Sequence, residues 1–185
     1  MKQAMYGLVL YVFLILPPVA TLMESIMAIH MHMQMPLLVI SGILMERFFQ
    51  VQFPGFFEKW NRNGVPGILL FIFIWTYWLI PRAMDEALTM QMVEVFKFIS
   101  LPFLAGIPLR DSWGKLGKTG KYIMFTYFII SSLVLGWLYI ASSEQLCNNY
   151  LIVEQKALGW SSAIIGICVL LYFVQDIFVD ESAYE

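Results

Sequence analysis

Apolar runs of about 20 residues recur along this 185-residue chain, the length an α-helix needs to cross a hydrocarbon layer about 30 Å thick at about 1.5 Å per residue. Inside such a layer every backbone N–H and C=O must find a partner within the protein, which leaves helices and closed barrels as the spanning solutions. These runs are continuous rather than alternating, and continuity selects helices. The expected fold is therefore all-α: a polytopic membrane helical bundle, a single transmembrane domain over residues 1–185 with about six transmembrane helices at 5–22, 26–45, 65–80, 85–107, 122–141 and 158–179. Composition agrees, with 60% hydrophobic residues, 13% charged residues and a mean hydropathy of +0.74, too apolar for a soluble domain of this length.

Prolines and glycines punctuate the runs. Lys2 and the following apolar run have the form of a signal peptide, but no small-x-small cleavage site follows, so the run reads as a retained first span whose far half is interrupted by Pro17 and Pro18. Pro36 lies inside the second span and frees a carbonyl one turn back, near His32, so a kink is expected there. Residues 46–64 mix Arg47, Lys59 and Arg62 with Phe48, Phe49, Phe53, Phe56, Phe57 and Trp60, as a segment at the lipid headgroups would. The third span stops at Pro81, Gly106 and Pro108 end the fourth, and residues 110–121 (RDSWGKLGKTGK) form a basic connector. Its glycine spacing lacks the lysine-serine pair and the strand of a phosphate loop. The tail Asp180 to Glu185 is acidic and ends outside the bilayer.

Six spans put alternate loops on opposite sides. Lys2, Arg47, Lys59, Arg62, Arg110, Lys115, Lys118 and Lys121 fall on one side, and only Arg82 and Lys156 on the other. Positive charge marks the cytoplasmic side. The expectation is an integral protein of a bacterial inner (plasma) membrane, in contact with membrane lipid, with both termini cytoplasmic and no nucleic-acid partner.

The outward end of the second span carries unusual chemistry. Met23, Met27, Met31, Met33 and Met35 alternate with His30, His32 and Gln34, and the chain has no other histidine. On a helix Met23, Met27, His30 and Gln34 share one stripe, while His32 lies about 200° around from His30 at about 100° per residue. Met84, Met90 and Met92, with Asp85 and Glu86, open on the same side from the fourth span. Thioethers with an imidazole suit Cu(I), and a thioether binds without losing a proton. The candidate metal ligands are Met23, Met27, His30, His32, Gln34, Met90 and Met92. The competing reading is that methionine fills irregular gaps between helices.

HMHMQMPLL and WTYWLIPRAMDEAL together resemble motifs of the cytochrome c oxidase assembly factors of the CtaG type, over roughly residues 23–110. His30 or His32 followed by Gln34 takes the position of one family motif, and Trp75, Trp78, Pro81 and Asp85 that of another. Leu79 stands where the family turn has a histidine, and Gln91 and Val95 flank Glu94 where the family places two more. The resemblance implies copper delivery to a membrane oxidase, with the ligand set shifted toward methionine.

Glu94 and Lys97 lie three residues apart within the fourth span, a spacing that permits an ion pair inside the membrane. Cys147 and Cys168 form no metal or disulfide pattern. No enzyme motif is present. Two functions follow: a copper-binding membrane protein assisting assembly of a respiratory oxidase or other copper enzyme, or a non-catalytic small subunit of a respiratory or copper-dependent oxidase or monooxygenase complex. A haem carrier would need His/Met ligation, since the two histidines diverge on one helix.

Overall fold

The computed structural model describes residues 2–178, and every regular element among them is helical. Four continuous helices are long and apolar enough to cross a membrane: α3 (Met27–Gln52), α7 (Gln91–Trp113), α8 (Lys118–Ala141) and α9 (Ile152–Phe178). Two bent pairs make up to six spans, α1 (Lys2–Ile15) with α2 (Pro17–Glu24), and α5 (Val65–Leu79) with α6 (Pro81–Thr89). A short helix, α4 (Pro54–Trp60), follows α3. The acidic tail at 180–185 lies outside the described residues.

Both bends arise where proline opens the second helix. Leu16 and Ile80 precede Pro17 and Pro81 and adopt extended backbone (ψ 127° and 123°), because a following proline ring crowds out helical geometry. The axes turn by 71° and 73° at these points.

Other prolines do not end helices, and here the structure corrects the expected boundaries. Pro36 and Pro108 each follow a π-helical turn, His30–Gln34 and Ser100–Gly106, in which the Met35 N–H reaches the His30 carbonyl and the Ile107 N–H that of Pro102. The wider turn re-registers the hydrogen bonds, so a residue without an N–H is accommodated. As a result α7 runs on past Pro108 to Trp113, and α3 continues to Gln52. The basic connector contracts to Gly114–Gly117 between α7 and α8. Conversely, the expected helix 85–107 is broken at Met90, whose backbone is extended (φ −116°, ψ 110°), so Met84 and Asp85 belong to α6 and Met92 to α7.

α3 crosses α7 with the two backbones in contact. A Cβ on Gly42 would lie 2.0 Å from the Pro102 carbonyl oxygen, and one on Gly106 would lie 2.3 Å from that of Val39. Small residues permit this approach, which replaces the hydrophobic drive that lipid does not supply. α8 packs along α9. The core between these layers is built on Trp78, Tyr139, Phe71, Leu38 and Leu101, with Met27, Met35, Met84 and Met124 among the fully buried side chains.

Two polar clusters close the ends. At the basic end buried Asp111 accepts from Asn61 (2.6 Å), Gln50 (2.9 Å) and Lys115 (2.7 Å), holding the turn after α4 against α7. Gly64 makes that turn with φ +76°, a conformation side-chain-bearing residues avoid. At the Met-rich end Asp85 accepts from the Asn148 side chain (3.0 Å) and the Asn149 side chain (2.7 Å), tying the α8–α9 loop to α6.

Candidate functional site

The π turn at His30–Gln34 sets the site, because it presents its polar groups to two different neighbours. His30 and Gln34 face α7 and α2, while His32 faces α9. The divergence of the two imidazoles follows from their two-residue spacing, and the π turn preserves it.

On the first side, Lys97 of α7 is fully buried and its ammonium is ion-paired with Glu24 at the end of α2. The Lys97 Nζ also reaches His30 Nε2 at 3.3 Å and Gln34 Oε1 at 3.4 Å, so its three donors meet three acceptors. The Gln34 amide donates in turn to the Glu24 carboxylate at 3.2 Å. The Tyr150 hydroxyl donates to the Glu24 backbone carbonyl at 2.7 Å, which leaves its oxygen to receive a hydrogen bond from His30 Nδ1 at 2.9 Å. His30 is thereby assigned as the neutral Nδ1–H tautomer, with the bare Nε2 facing the ammonium. Glu24, His30, Gln34, Lys97 and Tyr150 form one closed network, and no fully buried side-chain nitrogen or oxygen among the described residues lacks a partner.

This arrangement corrects the expected Glu94–Lys97 pair. A lysine taken wholly out of water needs a carboxylate on its own buried side, and Glu24 is there whereas Glu94 is half-buried on a more open face.

On the second side, His32 Nε2 lies 3.1 Å from the Ser162 hydroxyl and Nδ1 lies 3.2 Å from that of Ser161. Ser161 also donates to the Leu158 carbonyl at 2.9 Å, so His32 Nδ1–H donates to Ser161 and Nε2 accepts from Ser162. Beside this pairing is a cavity of about 340 Å³, walled by Phe71, Trp75 and Phe128 and bordered by His32, Ser131, Ser132 and Ser162.

The methionines separate. Met27, Met31 and Met35 are buried in the core, and Met23 packs at its edge. Met90 and Met92 are 53% and 83% exposed, away from the buried network. Of the seven candidate ligands, the structure joins His30 and Gln34 in one network, turns His32 to another helix, and sets Met90 and Met92 on the surface.

The seven candidate ligands do not converge on one point: His30 and His32 turn to different neighbours, and Met90 and Met92 are exposed. Each ring nitrogen of both histidines already has a partner: the bare Nε2 of His30 faces an ammonium whose charge opposes a cation there, and the bare Nε2 of His32 accepts from Ser162. Among the described residues no group of three or more His, Cys, Asp or Glu side chains could hold a metal ion.

Glu24, Tyr150 and Ser162 were not singled out by sequence reasoning. Glu24 carried a signal, an acid at the threshold of an apolar span. Tyr150 and Ser162 carried none, because they meet His30 and His32 across separations of 120 and 130 residues. Outside the spans, burial raises the Tyr150 hydroxyl above its ordinary value, and the nearby Glu24 carboxylate adds to this. Burial likewise pushes the Cys147 thiol up to about 11.

No family model, curated protein or solved structure matches the chain.

Proposed function

We propose that the chain is a non-catalytic membrane subunit or assembly component of a larger membrane complex, respiratory or copper-dependent, and that its Met/His segment locks the bundle rather than carrying a resident metal. The observation that supports this is the closed network around Lys97, in which His30 and Gln34 are consumed by partners inside the chain. Buried polar groups satisfied this completely fix the relative position of helices. α8 and α9 bury only 28% and 22% of their most apolar stretches, leaving broad faces for lipid or a second membrane protein.

The deciding measurement is copper content and co-purifying protein after mild detergent extraction, with a Met23→Leu/Met90→Leu/Met92→Leu variant alongside. Leucine conserves the volume of methionine but not its sulfur. A defined membrane complex, equal in both proteins and without stoichiometric copper, is the expected result. One copper per chain, lost in the triple variant, would overturn this reading in favour of a copper-binding protein.

The charge distribution supports an orientation with the basic end, Arg47, Lys59, Arg62, Arg110, Lys115, Lys118 and Lys121, in the cytoplasm.

A further inference from the structure

The cavity beside His32 lies deep in the bundle. Ser132 is about 21 Å along α8 from Lys118, and Ser162 about 15 Å along α9 from Ile152, at about 1.5 Å per residue. Ile40 and Ile165 border it and are 42% and 40% exposed, which places an opening on the lipid-facing side.

Its polar groups are unevenly satisfied. The His32 ring is held by Ser161 and Ser162, and Ser131 donates back to the Phe128 carbonyl at 3.1 Å. Ser132 has no hydrogen-bond partner among the described residues, although a serine in a helix commonly bonds back to its own preceding turn. Ser132 is half-buried, so its hydroxyl is open to the cavity and free to donate to an acceptor placed there.

We propose that this cavity binds a planar, lipid-soluble carbonyl compound of the quinone class, entering from the bilayer. Ser132 donates to a ring carbonyl, and the half-buried Trp75 and Phe128 hold the ring. Buried Phe71 stacks on Trp75 at 6.0 Å and 15° and packs against Phe128 at 5.7 Å, which fixes the two half-buried rings at the cavity wall where an aromatic or quinonoid plane can pack. The volume of about 340 Å³ matches small-ligand sites, which join apolar walls to a few polar groups. A lipid acyl chain would fill the space but leave the Ser132 hydroxyl unmet, so it is the disfavoured occupant. The binding is reversible and involves no electron transfer by this chain.

The test is quenching of tryptophan fluorescence in the full chain, reconstituted in phosphatidylcholine nanodiscs, by a decyl-tailed benzoquinone, with Trp75→Phe identifying the signal from the cavity wall. Saturable quenching is expected, weakened about fivefold by Ser132→Ala for the loss of one hydrogen bond and abolished by Ser132→Leu, which fills the space. Circular dichroism and gel filtration report whether each variant is folded, and Ser131→Ala, which loses only a back-bond, supplies a second comparison that should bind as wild type. Unsaturable quenching, equal binding by Ser132→Ala, or Trp75 quenching by a dibrominated acyl lipid that the quinone does not displace would overturn the assignment.

Discussion

Lys97 and Glu24 illustrate how a membrane interior raises the stakes of a single side chain. With 0% and 13% of their side chains exposed, neither is rescued by water when its partner is removed. Lys97→Met is expected to cost about 3–5 kcal/mol by leaving Glu24, Gln34 and His30 short of donors. In denaturant titrations in micelles, the Lys97→Met/Glu24→Gln double variant should lose less than the two single losses added together, the signature of direct coupling. Additive losses would place the two groups in separate networks. Cys147 gives a second prediction. Its buried thiol contacts Tyr139 and the Pro81 carbonyl, each at 3.7 Å, and titrates near 11 rather than the ordinary 9.0. The raised value favours the protonated folded form, so this contribution to stability is complete below pH 9.0 and fades as pH rises toward about 11. Thiolate is the reacting species, so alkylation of fully buried Cys147 at pH 8 should run at least about 100-fold slower folded than unfolded, the two-unit shift and the burial acting in the same direction. Equal rates would show an open thiol.

Elements record a different division between what sequence reveals and what it withholds. The apolar runs announce the spans, and Pro17 and Pro81 announce the bends, because both signals are local and chemical. The prolines within spans differ: a departure from α geometry is expected one turn before Pro36 and a π turn lies there, whereas Pro108, expected to end its span, sits inside a helix that continues to Trp113. The break at Met90 has no proline to signal it. The site was legible only as far as His30 and Gln34 on a shared stripe. Lys97 found its carboxylate 73 residues away rather than three, a choice made by the tertiary arrangement. The α3–α7 crossing gives an element-scale prediction: Gly42→Ala would drive a methyl into the Pro102 backbone, which cannot yield as a flexible side chain can. A loss of about 3 kcal/mol or more is expected from overpacking, against little change for Gly114→Ala, where nothing lies within 4 Å. Unfolding curves of equal midpoint would refute the close crossing.

At the scale of the molecule, the two ends differ in charge and in the kind of closure they use, a lysine-capped aspartate cluster at one and an asparagine hook at the other. On a Cys147→Ser/Cys168→Ser background, Glu144→Cys should react with a membrane-impermeant maleimide added outside intact cells. Thr119→Cys should react only after the membrane is opened. The reverse pattern would invert the proposed orientation. Tyr150 carries a consequence for biogenesis. Its hydroxyl bridges His30 and the Glu24 carbonyl, yet it leaves the ribosome 126 residues after Glu24. Until the last hairpin inserts, the nascent chain holds an ammonium and a carboxylate in lipid beside an imidazole missing one contact. A chain stopped after Ala141, which lacks both Tyr150 and α9, should thus be cleared rapidly by membrane proteases, with a half-life in pulse-chase well below that of the full chain.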